Sequence, residues 1–387
     1  MDILKKRISF LNVDLTSGGC EREISNLAHH FKEKFHILVV LFYNEISYKL
    51  PSETKFKFLD KGRRDSDFIK LLQIPILAYK YAKHCKSENI DVSISYVYRA
   101  NYVNLLSKIL FGNRAKIIVN EQNHTLTQYP DTSLNSSINR FLIKILYKYA
   151  DVIRPNSKLI ANDLIKYFDI PEQLITPIYN PLAVDFINSQ LKKDISFSYY
   201  GFNFITVARL HHQKNPELLI KAFHIAFKDI NNVNLLILGE GPLKEEILTL
   251  IKNLGLETRV YLLGFINNPF AFLERCDSFV LSSNYEGFPN SLLEALACGL
   301  PSVSTDCPSG PREMLAPSTD FTKMLTNTIE EAEFGILVPT NNVKLLSVAM
   351  LNIYNNTKLR NNYKSKSKLR ALDFDISVFD KEFQDLL

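Results

Sequence analysis

Tyr285-Glu286-Gly287-Phe288-Pro289-Asn290-Ser291-Leu292-Leu293-Glu294-Ala295-Leu296-Ala297-Cys298-Gly299 is the stretch whose reading decides the fold. It follows a short apolar run, Ser278–Ser282, and reads as strand, tight Gly-Pro loop and helix start. The N–H groups and positive end of such a helix suit a phosphate. Glu286 falls before the helix and Glu294 about one turn inside it, eight positions later. A carboxylate beside an anion site has a use where it accepts hydrogen bonds from hydroxyls. A nucleotide sugar supplies both chemistries: a diphosphate for the helix end, and ribose and sugar hydroxyls for the glutamates.

Two glutamates at this spacing also occur on ordinary helices with solvated faces. The context here is narrower: Gly-Phe-Pro-Asn lies between them, and Ala295, Gly299 and Pro301 follow. This pattern resembles the retaining glycosyltransferases of family 4, which have the GT-B fold. The resemblance extends over nearly the whole chain and is strongest in its second half.

Outward from this stretch, short apolar strand candidates alternate with helical segments, twice over. The first series is Ile8–Val13, Phe35–Phe42, Asp91–Tyr96, Ala115–Asn120, Asp151–Arg154 and Leu174–Ile178. The second is Phe204–Ala208, Val233–Leu238, Val260–Leu263, Ser278–Ser282, Ser302–Thr305 and Ile336–Val338. Such alternation implies an α/β protein with parallel sheets covered on both faces, in two Rossmann-like domains. The GT-B resemblance implies that the two face each other across a cleft. At 387 residues the chain has the length for two domains. Residues 1–185 form the expected acceptor domain and 186–373 the donor domain, with Asn180-Pro181 as a turn signal near the boundary. Ile376, Phe379, Phe383 and Leu386 have helical spacing. The resemblance implies that this last helix, 374–387, crosses back to the first domain.

Composition narrows the class. The chain is 46% hydrophobic and 22% charged, as in a soluble globular protein, and no apolar run reaches a membrane span. Asp14 interrupts the first apolar run before a signal-peptide core forms. Cys20, Cys85, Cys276, Cys298 and Cys307 lack paired spacing, which points to free thiols in a reducing compartment. Lys and Arg exceed Asp and Glu by 26 − 19 = 7 through Asp185, and the remainder stands at 20 − 22 = −2. A basic first half suits an anionic partner such as a membrane surface, and equally a solvated basic surface. No nucleic-acid motif accompanies the net charge of +5.

Several constellations bear on chemistry. Gly18-Gly19-Cys20-Glu21-Arg22 follows the first strand, where two glycines permit a tight turn and close ligand approach. The third glycine of a dinucleotide fingerprint is missing, which argues against a nicotinamide cofactor. In family 4 the matching loop borders donor sugar and diphosphate, which assigns Gly18 and Gly19 to the donor site. Arg209 ends a strand and Lys214-Asn215-Pro216 opens a helix. By itself this pair is loop charge, but Val207–Phe223 resembles the family's Arg-Leu-x-x-x-Lys-Asn segment, whose cations neutralise a leaving diphosphate. His124 lies at a strand's C-terminal end, where open α/β sheets place ligands. Its match in the family contacts the donor sugar or supports the reaction centre. Ile266, after Leu263-Gly264-Phe265, matches a backbone contact to the base. His211 and His212 read as loop residues.

The Ser136–Tyr149 region sets Arg140, Lys144 and Lys148 on one helical stripe beside Phe141 and Ile145, and the Arg63–Lys86 region is a second basic, apolar candidate. Either is a membrane-contacting face or a helix with one solvated side. Asp65-Ser66-Asp67 reads as a helix cap and Asp373-Phe374-Asp375 as a linker, so no metal site is expected.

These readings converge on one expectation: metal-independent transfer of a hexose or N-acetylhexosamine from a nucleotide sugar, UDP-linked first, to a glycan or lipid-linked hydroxyl. Catalysis falls to His124, Arg209, Lys214 and Glu286. Donor binding falls to Gly18, Gly19, Ile266, Phe288, Pro289, Asn290, Ser291, Leu292 and Glu294. Thr305–Leu315 resembles transferases that build bacterial surface polysaccharides and lipid-linked oligosaccharides, which implies a cytoplasmic enzyme at the inner membrane face. A nucleotide-sugar epimerase of the same fold and a non-catalytic nucleotide-sugar-binding subunit are the alternatives.

Overall fold

The computed structural model describes residues 5–16, 18–62, 67–196 and 199–387. Ser17 and Arg63–Ser66, with the first two residues of the Asp65-Ser66-Asp67 triplet, lie outside the described residues. The chain forms two compact units, Met1–Asn180 with Asp380–Leu387, and Pro181–Phe379.

Among the described residues the first unit holds six strands: β1 (Arg7–Asn12), β2 (His36–Leu41), β3 (Lys55–Phe58), β4 (Val92–Ser95), β5 (Lys116–Glu121) and β6 (Val152–Pro155). Their order is β3-β2-β1-β4-β5-β6, and every pairing is parallel. The apolar positions of β1, β4 and β5, and those of β2 from Leu38 on, are buried, as expected for strands covered on both sides. Here the structure differs from the sequence expectation in three places. β3 was not foreseen. Leu174–Ile178 supplies only an isolated bridge from Ile175 to Ile153. The Arg63–Lys86 candidate, read as one helical region behind the Asp65-Ser66-Asp67 cap, breaks into Asp67–Leu72 and Ile74–Ser87, with Pro75 in the first turn of the second.

Among the described residues the second unit holds seven strands: β7 (Phe202–Val207), β8 (Val233–Leu238), β9 (Val260–Gly264), β10 (Ser278–Leu281), β11 (Ser302–Thr305), β12 (Glu330–Glu331) and β13 (Ile336–Val338). The order is β12-β13-β11-β10-β7-β8-β9, with only the short β12 antiparallel. Each unit has its own apolar core. A helix not foreseen, Val184–Leu191, follows Asn180-Pro181 and buries Ile187 and Leu191.

The Asp373-Phe374-Asp375 segment links the helices Thr357–Leu372 and Ile376–Gln384, as expected, and its last residue is also a cap. Asp375 accepts hydrogen bonds from the backbone N–H and hydroxyl of Ser377, at 2.9 and 2.6 Å, and so caps the last helix, Ile376–Gln384. Phe383 of that helix stacks on Phe31 at 5.7 Å, and Asp380 accepts from Lys34 at 2.5 Å. No helix among the described residues is long and apolar enough to cross a membrane.

Candidate active site

In the second unit the loops at the C-terminal ends of β7, β8, β9, β10 and β11 bring the predicted residues together. Gly239, after β8, has φ 143, and a Cβ there would fall 2.0 Å from the Ala208 carbonyl oxygen. The loop bearing Arg209 therefore lies directly on the Gly239 turn, fixed by the Leu210 N–H donating to Glu240 at 2.9 Å. The Gly239 N–H donates to the Gly264 carbonyl at 2.7 Å, which places the turn before Ile266 at the same strand ends. Arg209 is exposed and Ile266 half-buried.

Lys214 and Glu286 meet directly. The Lys214 ammonium donates to both Glu286 carboxylate oxygens, at 2.5 and 2.7 Å, and Glu286 is buried. Ser283 Oγ donates to the same carboxylate at 2.5 Å. A buried carboxylate is costly unless paired, and Lys214 supplies that pairing. The expectation set these residues on separate ligand groups; the structure makes them one unit.

The Glu286–Asn290 loop leads into the helix Asn290–Ala297, whose Leu292 to Ala297 are all buried, Glu294 included. Pro289 stands at its N-cap and contributes no capping side chain. The segment after β11 lies alongside this loop. Glu286 N–H donates to Pro308 O at 3.0 Å, and Ser309 Oγ donates to Gly287 O at 2.7 Å. Gly310, at φ 90, makes the approach possible: a Cβ would lie 2.5 Å from Pro289 Cδ and 2.8 Å from Gly287 O.

Two clamps hold these loops. Arg312 is bidentate on buried Asp306, at 3.1 and 2.6 Å, and also meets Glu330 at 3.0 Å. Burial pushes the Asp306 carboxyl up while the Arg312 hydrogen bond opposes it. Arg370 donates to the carbonyls of Met314 and Glu313, at 2.9 and 2.7 Å, and stacks on Phe374, which meets the Phe288 ring edge-on at 5.3 Å. Sequence reasoning missed Ser283, Gly310, Arg312 and Arg370 as parts of the site. Only the glycine in Ser309-Gly310-Pro311 carried a usable signal. His211 is held below the ordinary histidine range by burial and by Arg209, so it is uncharged near neutral pH.

In the first unit Gly18 precedes the helix Gly19–Phe31, and His124 precedes the short helix Thr125–Gln128 after β5. Glu23 of the first helix accepts from Gln122 at 2.8 Å and from fully buried Arg154 at 2.5 Å, which ties the two loops to one end of the sheet. His124 is buried with both ring nitrogens engaged: Nδ1 lies 2.7 Å from Thr127 Oγ1 and Nε2 2.8 Å from Asp163 Oδ2. Asp163 was not singled out from sequence. In this arrangement the imidazole is fixed in place by both neighbours.

Next to this loop, burial pushes the Glu121 carboxyl up to about 8, against hydrogen bonds from Tyr98 and Tyr147. Between the ordinary 4.5 and about 8 the folded protein therefore holds a proton that the unfolded chain releases. Stability is expected to fall across that window as pH rises, by up to about 1.4 kcal/mol per pH unit. Urea denaturation at stepped pH checks this: Glu121→Gln flattens the slope, and an unchanged slope would reject the assignment.

Comparison with known proteins gives the class. A family described as Glycosyl transferases group 1 matches residues 200–370. The chain is 36% identical over 371 residues to the N-acetylgalactosamine-N,N'-diacetylbacillosaminyl-diphospho-undecaprenol 4-alpha-N-acetylgalactosaminyltransferase of Campylobacter jejuni, covering 96% of each chain. It is 26% identical over 383 residues to a second enzyme of that organism, the GalNAc-alpha-(1->4)-GalNAc-alpha-(1->3)-diNAcBac-PP-undecaprenol alpha-1,4-N-acetyl-D-galactosaminyltransferase, covering 98% of each. The chain belongs to the group 1 glycosyltransferases. Its fold is GT-B. Sucrose-phosphate synthase of Thermosynechococcus elongatus superposes with a TM-score of 0.81 at 15% identity, covering 99% of this chain and 98% of that one. HepE of Anabaena, in complex with UDP and glucose, superposes at 0.78 with 18% identity, covering 98% of each.

Proposed function

We propose that this glycosyltransferase is a retaining, family 4 enzyme that moves an N-acetylhexosamine from a UDP-sugar to a hydroxyl of a lipid-linked glycan. The observation that carries the chemistry is the Lys214–Glu286 pair before the N-terminus of the Asn290–Ala297 helix. The relatives over 96% and 98% of this chain, both named for N-acetylgalactosamine transfer to undecaprenol-linked acceptors, support the substrate class.

On this reading the donor diphosphate lies by the positive end of that helix, with Arg209 and Lys214 as its cations. Glu286 accepts hydrogen bonds from sugar hydroxyls and Glu294 from the ribose, with the Phe288–Leu292 backbone and Ile266 completing donor contacts. The acceptor oxygen bonds to the anomeric carbon on the face from which the phosphate departs. The carbon–oxygen bond to the diphosphate breaks, and the acceptor's proton passes to a phosphate oxygen. Arg209 and Lys214 meet charge that grows on the leaving group, which is where cations accelerate a reaction. They supply positive charge that a divalent metal supplies in other transferases, so transfer is expected to persist in EDTA. Loss of turnover restored by Mn²⁺ would contradict that. Gly18 and Gly19 of the first unit keep the donor-loop role that the resemblance implies, and His124 is a positioning group held by Asp163. A cytoplasmic protein at the inner membrane face fits a lipid-linked acceptor.

The two glutamates separate in a binding experiment. Glu294→Ala weakens UDP and intact donor alike, because its ribose contact is common to both. Glu286→Ala weakens the donor more than UDP. Calorimetry with UDP and an unreactive donor analogue reads the split, and equal losses for both ligands at both sites would reject it. The function itself is tested by a donor panel on a lipid-linked acceptor, with mass-spectrometric detection of the added sugar.

A further inference from the structure

The strand order places three helices of the first unit in one layer. The connections from β3 to β4, β4 to β5 and β5 to β6 all step the same way across the sheet, so right-handed crossovers put Ile74–Ser87, Tyr98–Phe111 and Leu134–Leu146 on the same face. Direct contacts agree. The Tyr79 and Phe111 rings meet edge-on at 5.5 Å, and Tyr102 OH donates to Asn139 O at 3.3 Å. The β1 to β2 connection steps the other way and puts Gly19–Phe31 on the opposite face.

This layer is unusual in two respects. Its outer surface carries large apolar side chains: Ile76 is 59% exposed, Tyr79 56%, Leu110 56% and Phe141 62%, with Ile145 and Tyr149 also exposed. Its charge has one sign. Residues 74–87, 98–111 and 134–149 hold eight Lys and Arg and no Asp or Glu, whereas the opposite-face helix carries Glu21 and Glu23. Acids stand only at the borders. Asp131, Asp151 and Asp169 pair with Arg140, Lys108 and Lys144, at 3.0, 2.7 and 2.5 Å. Lys83, Lys86 and Lys148 remain exposed at the surface.

The basic stripe expected from sequence is thus largely neutralised by its own neighbours, and attraction by Arg140 and Lys144 alone does not explain a bound state. The exposed apolar side chains do, with the remaining cations orienting them. We infer that the outer face of the helices Ile74–Ser87, Tyr98–Phe111 and Leu134–Leu146 is a membrane-docking surface that sinks Ile76, Tyr79, Leu110 and Phe141 into the headgroup–acyl boundary of an anionic bilayer. Aromatic and aliphatic side chains suit that depth, and lysines at the rim suit anionic headgroups. This inference rests on the proposed lipid-linked acceptor, because such an acceptor keeps its reactive sugar at the bilayer surface.

The experiment compares the full chain with an Ile76→Ser/Tyr79→Ser/Phe141→Ser variant. All three positions are already open to solvent, and circular dichroism and melting confirm an unchanged fold. Sedimentation with vesicles of phosphatidylglycerol and phosphatidylethanolamine measures partitioning, and light scattering measures association of copies. The inference predicts wild-type binding that falls only partly in high salt, and about a tenfold or greater loss for each side chain removed. Sugar transfer to a short-chain, detergent-free acceptor is measured in parallel and stays unchanged. Equal partitioning of variant and wild type overturns the docking face. So does a wild-type dimer that the variant abolishes, since the face would then be covered by a second copy. Absence of transfer to any acceptor by either protein instead overturns the proposed function, and the vesicle result is then read on its own.

Discussion

Lys214→Ala is expected to lower kcat/KM roughly 30- to 1,000-fold, because a charge-assisted contact to the departing diphosphate is worth about 2 to 4 kcal/mol in the transition state. The same substitution is expected to destabilise the second unit, and that follows from the structure alone. Glu286 is buried, and Lys214 donates to both of its carboxylate oxygens. Removing the ammonium strands the carboxylate with Ser283, at about 3 to 5 kcal/mol. Arg209→Ala provides the contrast, because Arg209 is exposed and its loss is expected to reduce turnover on a similar scale without a change in melting. A double variant Lys214→Ala/Glu286→Ala recovers stability without recovering transfer. Steady-state kinetics beside chemical denaturation read both effects. A Lys214→Ala protein as stable as wild type would mean that the pair is not buried in solution.

Gly310→Ala is expected to reduce transfer by about 100-fold or more, although residue 310 touches no substrate on the proposed reading. Its Cβ would meet Pro289 Cδ at 2.5 Å, Gly287 O at 2.8 Å and the Phe288 Cα at 3.1 Å, all in the loop that opens the Asn290–Ala297 helix. Backbone does not yield as a long side chain does, so the loop must move. The positive φ of 90 adds strain of about 1 to 3 kcal/mol for any residue with a Cβ. A displacement on the order of 1 Å at a reacting centre is enough for such a loss. Both kcat and donor affinity are expected to fall. Near-normal donor affinity in a folded Gly310→Ala protein would show that this loop does not hold the donor.

What was legible in the sequence is mostly local. The strand, Gly-Pro loop and helix around Glu286 and Glu294 are written within some twenty residues, and short apolar runs such as Val233–Leu238, alternating with helical segments, pointed to both sheets. Contacts between distant residues were not legible. Lys214 and Glu286 are 72 positions apart, and His124 and Asp163 are 39 apart. Lys214, Glu286 and His124 each had a reading of its own and Asp163 had none, and only the fold shows that they satisfy one another. β3 was missed because Lys55-Phe56-Lys57-Phe58 is short and charged on one side, as sheet-edge strands tend to be. The break before Ile74 was hidden by apolar residues that keep helical spacing through it, while Pro75 was the overlooked signal. The Val184–Leu191 helix was masked by its polar surroundings.

The central claim is that Lys214, Arg209 and the Glu286–Glu294 loop serve sugar transfer from a nucleotide sugar to a lipid-linked hydroxyl. It is tested most directly by incubating the protein with UDP-N-acetylgalactosamine or UDP-N-acetylglucosamine and a polyprenyl-diphosphate-linked sugar, then reading the product by mass spectrometry and NMR. The account predicts an acceptor heavier by one N-acetylhexosamine, joined in the α configuration of the donor, with UDP released in equal amount. A donor converted to its epimer without any acceptor, a β-linked product, or donor binding with no turnover would contradict it.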